Sequence, residues 1–327
     1  MSNYLLIDTI LFIIFGLLFY LLMLPYLKKL KFGQSIRSDG PKKHLAKKGT
    51  PTMGGIIILC CCLIFFSLLL IELNYQYNFD LLKIFFLLIP IISYGILGLV
   101  DDIMIISKRK NDGIKPSLKF LIQLIVAAIT YFIYLTLYQN NTINFFGTCV
   151  DIKFFYGMLI IFLLVGVTNA TNLTDGIDGL LSGCAIISYL GFGILGIYKN
   201  EMIVVLFSFS MCIALICFLF FNLPKASLFM GNVGSLLIGA GLVMESIILK
   251  MELLLIFIGF VYFIETLSVI LQVWFFKKTK GKRLFKMSPF HHHLEISGFS
   301  EIEIDLMLYG IQLVMTCIGV FLGLLVF

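Results

Sequence analysis

Charge is what this sequence has least of. Asp, Glu, Lys and Arg together make up 13% of its 327 residues, where a soluble domain carries about 25%. So little charge cannot solvate a soluble particle of this size, which excludes an ordinary cytoplasmic globule, a disordered chain and a nucleic-acid binder. Cys-x-x-Cys pairs are missing. Seven of the eight cysteines lie in apolar runs, three of them consecutive (Cys60, Cys61, Cys62), and only Cys149 falls in a polar loop. Neither a disulfide framework nor a zinc site is expected; these are small packing residues. Linkers and low-complexity tracts are absent too. The start lacks a basic n-region and an A-x-A site, so a cleaved signal peptide is not expected.

What the chain has is apolar length. Residues of the AVILMFWYC set make up 60%. Apolar runs lie near 4–27, 53–72, 83–100, 118–138, 154–168, 179–198, 202–221, 233–249, 252–276 and 306–327. A helix needs roughly 20 residues to cross a bilayer, and a barrel strand runs about ten with alternating polarity. The expected fold is therefore an all-α polytopic membrane protein of about ten transmembrane helices, forming one integral-membrane domain over 1–327. Lys28, Lys29 and Lys31 follow the first run at once, which places the N-terminus outside. With alternating spans, the inner loops and the mouth of the fourth span collect 20 of the 24 Lys and Arg.

Polar residues then gather on that inner side. Asp101 and Asp102 end the third run in "GLVDDIM". A lone acid there is an ordinary solvated cap. Two adjacent carboxylates repel, and make sense where a divalent cation or a proton offsets them; magnesium favours one or two carboxylates plus phosphate oxygens. "TNATNLTDGIDGL" (168–180) carries Asn169, Asn172, Asp175 and Asp178 at intervals of three, which share a face if the segment coils. A capped turn explains one acid, not four polar residues. In "FNLPKASLFMGNVGSL" (221–236), Gly231 and Gly234 flank Asn232 ahead of an apolar helix; such turns present N–H groups to anions or allow close helix packing. "SPFHHHLEISGF" (288–299) holds three of the four histidines. A phosphate contact is preferred over zinc there, because nothing completes a tetrahedron. The lysines of "SDGPKKHLAKKGTPTMGG" (38–55) suit topology and anionic membrane lipids, but its glycine and proline turn needs another reason. Together these residue types fit a magnesium-assisted phosphoryl transfer at a membrane surface.

Six motifs occur in one order: "GPKKHLAKKGTPTMGG", the Asp pair after an apolar run, "NATNLTDGIDGL", "FNLPKASLFMG", "ETLSVILQV" and "SPFHHHLE". In them the chain resembles the phospho-N-acetylmuramoyl-pentapeptide transferases (translocase I), within the polyprenyl-phosphate sugar-1-phosphate transferases, over about residues 36–300. The resemblance implies ten spans and a cytoplasmic site in the bacterial inner membrane. It implies Mg²⁺, UDP-N-acetylmuramoyl-pentapeptide and undecaprenyl phosphate as substrates, lipid I and UMP as products, and a homodimer. Asp101 and Asp102 would be the essential acids, with His291 and His292 beside them. Lys47, Asn172, Asp175, Asp178 and Phe229 match the nucleoside pocket, Phe229 able to stack on uracil. Thr52, Asn169, Asn222, Ser235, Gln272 and His293 match other substrate-side positions, and Lys119 and Gln123 the lipid-phosphate side. Asp101, Asp102 and Asn232 would hold the metal. The family usually reads M-G-D before the eighth span; Asn232 stands there instead and lacks the charge, so weaker metal binding and weaker turnover are expected. A second departure is Pro116–Ser117, where relatives often carry another basic residue.

Three other readings stand beside this one. They are a transferase for UDP-N-acetylglucosamine-1-phosphate, a silent binding homologue, and a transporter using Glu245 and Glu265.

Overall fold

The computed structural model describes residues 2–29, 49–108, 113–138, 140–145 and 147–326. Among the described residues, ten helices are long and apolar enough to cross a membrane. They are α1 (Ser2–Lys29), α2 (Gly54–Tyr77), α3 (Leu81–Lys108), α4 (Pro116–Tyr138), α5 (Phe154–Thr174), α6 (Leu180–Lys199), α7 (Met202–Asn222), α8 (Gly231–Leu249), α10 (Phe260–Lys278) and α12 (Glu301–Val326). Two shorter α-helices are α9 (Leu255–Ile258) and α11 (Phe290–Ile296). The chain is an all-α polytopic membrane protein.

The hub is α8, where every residue from Val233 to Leu249 is buried. A helix enclosed this completely needs close approaches, and glycines supply them. A Cβ on Gly55 of α2 would meet the Gly234 backbone N at 2.0 Å. One on Gly98 of α3 would meet the Asn232 carbonyl at 2.3 Å, and one on Gly239 the Thr168 Cα of α5 at 2.6 Å. The Thr171 hydroxyl donates to the Ser235 carbonyl at 2.8 Å, stitching α5 to the first turn of α8. Three helices are thus pinned around the α8 N-terminus.

Several elements depart from the expected spans. α3 runs past residue 100 to Lys108 and α5 past 168 to Thr174, so α3 carries its Asp pair, and α5 the Asn169 and Asn172 half of its motif, on helix. At 1.5 Å per residue α3 is about 42 Å long, beyond the roughly 30 Å hydrocarbon core. The ninth run, expected as one helix over 252–276, is broken into a 3-10 turn (Glu252–Leu254), α9 and α10, with the break at Gly259. An antiparallel hairpin, β1 (Thr142–Phe145) with β2 (Thr148–Asp151), pairs Thr142 with Asp151 between α4 and α5. Its turn rests on Gly147 at φ 87°.

Candidate functional site

Adjacent residues on a helix point about 100° apart, and the Asp pair of α3 uses that divergence. Asp101 faces α4: its Oδ2 accepts from Lys119 Nζ at 2.7 Å and its Oδ1 from the Ile114 N–H at 2.7 Å. Asp102 faces α8. Its Oδ1 accepts from Asn232 N at 3.1 Å and Asn232 Nδ2 at 2.8 Å, its Oδ2 from Val233 N at 3.2 Å. A carboxylate so placed satisfies open N–H groups at a helix start and suits the dipole there. Both acids are buried, each compensated by donors from another element.

Gly231 makes this geometry possible. It sits at φ 75°, and a Cβ there would lie 2.5 Å from Asp102 Oδ2 and 2.9 Å from Thr52 Oγ1. The backbone N–H of Phe229 donates to the Pro51 carbonyl at 2.8 Å, and Gly54 N–H donates back to Phe229 at 2.9 Å. The segment before α8 is thereby laced to the start of α2, with half-buried Phe229 beside buried Thr52.

α5 ends at Thr174, so only Asn169 and Asn172 of the four-residue series lie on the helix. They diverge: Asn169 Nδ2 donates to Gln123 Oε1 at 3.0 Å, while Asn172 Oδ1 accepts from Ser235 Oγ at 3.3 Å. Asp175 caps the helix and Asp178 lies in the following turn, its Oδ2 accepting from the Ala226 N–H at 3.0 Å. Burial, then the charges of Asp102 and Asp178, push the Asp175 carboxyl well above its ordinary pKa. The three acids therefore share one electrostatic neighbourhood. Asn222 braces the turn, its Oδ1 taking Gly179 N–H and Ser182 Oγ and its Nδ2 reaching the Leu228 carbonyl.

The histidines divide their work. His291 is fully buried, its Nδ1 3.1 Å from Glu265 Oε2 and its backbone N–H donating to Glu265 Oε1 at 3.2 Å. Its far edge fills a notch over Gly176, where a Cβ would lie 2.1 Å from Nε2. His292 is half-buried, with its ring 4.2 Å from that of His291 and its Nδ1 3.3 Å from Glu295 Oε2. His293 accepts the Lys286 N–H through Nδ1 at 3.2 Å and packs on Phe285 and Phe290. Gln272 Oε1 takes the N–H groups of Leu284 and Phe285 at 3.1 and 2.8 Å. These two hold the segment after α10 beside an open groove of about 340 Å³ lined by Gln272, Val273, Phe276, Lys277, Arg283, Met287 and Ser288.

A continuous chain of neighbours thus runs from Lys119 through the Asp pair, Asn232, Ser235 and Asn172 to the Asp175–Asp178 turn, and on through Gly176 to His291 and His292. Asn169 turns away toward α4. Gln272 and His293 stand at the adjacent groove. Lys47 lies outside the described residues.

A model of "Glycosyl transferase family 4" matches residues 84–250, and a phospho-N-acetylmuramoyl-pentapeptide-transferase signature matches 47–59. A Bacillus velezensis phospho-N-acetylmuramoyl-pentapeptide-transferase is 41% identical over 303 residues, covering 92% of both chains. The chain belongs to the phospho-N-acetylmuramoyl-pentapeptide-transferase family. Members from Bacillus pumilus (41% over 316 residues, 95% of this chain and 96% of that one) and Listeria monocytogenes (41% over 303, 91% and 92%) are equally similar. This family member is accordingly an integral, multi-pass membrane enzyme, a phosphotransferase.

Within it, sequence reasoning had weighed Glu265 only as a transport carboxylate and passed over Tyr309. The Tyr309 hydroxyl donates to the Gly179 carbonyl at 2.6 Å from α12, 130 positions along the chain. No local pattern signals such a partner. Glu245 lies in the packed core, accepting from Ser208 Oγ at 2.5 Å.

Among the described residues no group of three His, Cys, Asp or Glu side chains forms a metal-binding cluster. A magnesium ion carried by substrate phosphates needs only one or two protein carboxylates, and the acid-rich neighbourhood of Asp102, Asp175 and Asp178 fits that demand.

Proposed function

We propose that this chain transfers phospho-N-acetylmuramoyl-pentapeptide from its UDP carrier to undecaprenyl phosphate, giving lipid I and UMP. An oxygen of the lipid phosphate attacks the sugar-bearing phosphorus of the donor. The new P–O bond forms as the bond to the bridging oxygen breaks, and UMP leaves with that electron pair. The nucleophile is already an anion, so it needs charge neutralisation more than a strong base. Lys119, paired with Asp101, would offer a cation to a phosphate, while the α8 N-terminus holds the Asp102 carboxylate in position. The Asp175–Asp178 turn and Phe229 offer acceptors and a ring for a nucleoside, and the half-buried His292 beside His291 is the histidine we assign to the ligand.

The resemblance assigns Mg²⁺ to Asp101, Asp102 and Asn232; with Asp101 turned to Lys119, Asp102 and the Asn232 side-chain oxygen, beside Asp175 and Asp178, would hold the ion, whose chemistry here is to offset charge on the diphosphate. The charge split of the loops supports an N-terminus outside and a site facing the cytoplasm of a bacterial inner membrane. The family resemblance extends to a homodimer.

The observation that carries the reading is the compensated Asp101–Asp102 pair, set between a lysine and a helix N-terminus in a chain of this family. It is tested by incubating purified protein with undecaprenyl phosphate, Mg²⁺ and either UDP-N-acetylmuramoyl-pentapeptide or UDP-N-acetylglucosamine, and following UMP. Release with the first donor is expected; lipid product from the second donor alone would replace this reading with the sister activity.

A further inference from the structure

Glu265 and His291 are both fully buried. Glu265 projects from α10 and reaches α11 twice, once at the His291 ring and once at its backbone N–H, 3.1 and 3.2 Å away. The first is a charge contact to the ring, whose two nitrogens are buried with no hydrogen-bond partner among the described residues; the second is a hydrogen bond that ties the α11 backbone. The opposite ring edge fills the notch that Gly176 leaves open, between Asp175 and Asp178. The ring centroid lies 4.2 Å from that of His292, the two rings inclined at 62°. His291 is thus a wedge between α10, the acid turn and its own neighbour.

We infer that Glu265 is a positioning residue: by clamping His291 against Gly176 it sets the acid turn and His292 in register for the reaction. This deepens the transferase reading and rests on it. The roles are distributed accordingly. His292 meets the ligand, His291 transmits its position, and His293 anchors the loop. A carboxylate that orients a histidine from behind is a recurrent device for fixing a reacting geometry.

The test uses full-length protein in detergent with UDP-N-acetylmuramoyl-pentapeptide and undecaprenyl phosphate. Glu265→Gln keeps shape and loses the charge. It is expected to lower kcat by about 30-fold or more, with the KM for the nucleotide donor within about threefold, since binding is retained and alignment lost. Combining it with His291→Ala should cost no more than His291→Ala alone, because the two residues act as a unit. Gly176→Ala pushes on the same wedge from its other side and should reproduce the kcat loss. A kcat within about threefold of wild type, a loss carried by KM, or losses that multiply in the double variant would each overturn the inference.

Amide hydrogen exchange of residues 289–296 reads the clamp without turnover. Glu265→Ala should speed exchange there by about tenfold or more, and unchanged protection overturns the clamp. Wild-type protein that releases no UMP from either donor sinks the transferase reading, while the exchange result still decides the clamp.

Discussion

Asn232 shows what one atom changes at an acidic site. Its Nδ2 donates to Asp102 at 2.8 Å, so the amide supplies in neutral form part of the compensation that a cation would otherwise give. An Asp in its place would set two carboxylates at that distance, repelling unless an ion bridges them. Asn232→Asp is therefore expected to lower the apparent Tm in EDTA and to gain Tm with MgCl₂ more than wild type does. Equal magnesium responses of the two proteins would show that position 232 does not sense the ion. Asp102→Ala removes the acceptor for three N–H donors of Asn232 and Val233. It should abolish UMP release while the protein still elutes as a folded species; near-normal turnover would remove Asp102 from the site. At this scale the sequence was readable where chemistry is written locally, as in the adjacent acids or Asn232 before an apolar helix. It did not give the partners of Glu265 and Tyr309, which lie far along the chain.

At the scale of elements, the broken ninth span has the most to explain. A break inside an apolar layer frees backbone groups that lipid cannot satisfy. Gln312 of α12 satisfies them: its Oε1 accepts from the Val261 N–H at 3.0 Å and its Nε2 donates to the Ile258 carbonyl. Ser188 of α6 donates to the same carbonyl at 2.7 Å. The expectation of one continuous helix failed because residues 252–276 read as unbroken apolar sequence, while the groups that stabilise the break sit on α6 and α12. Gln312→Met keeps the volume and strands the Val261 N–H, while the Ile258 carbonyl keeps Ser188; an unsatisfied buried donor costs about 1–3 kcal/mol. A Tm lowered by several degrees is expected in a detergent melt; an unchanged Tm would mean the break satisfies itself. The helix number and order were legible, by contrast, because ten runs of spanning length need no partner to be recognised.

Across the described residues, the helix bundle carries a polar cluster at each end. The end away from the acid pair carries a compact cluster in which Lys250 Nζ donates to the Tyr134 hydroxyl and to Asn140 Oδ1, beside the Tyr156 hydroxyl that donates to Glu252. Burial lowers Lys250 from 10.5 to about 8. Between those values the unfolded chain holds a proton the folded chain has released, so stability rises with pH through that window, and its gain is lost as pH falls through about 8. The apparent Tm of wild type minus that of Lys250→Met should therefore grow between pH 8 and pH 10; a flat difference would refute the shift. At the opposite end, α3, α4, α5, α8, α10 and α11 bring their polar residues together, and the proposed chemistry depends on that assembly. The most direct measurement is UMP release by the purified, unmodified chain given undecaprenyl phosphate, Mg²⁺ and UDP-N-acetylmuramoyl-pentapeptide. Magnesium-dependent UMP appearing in step with a lipid-linked sugar is predicted; folded, nucleotide-binding protein that yields none would contradict the account.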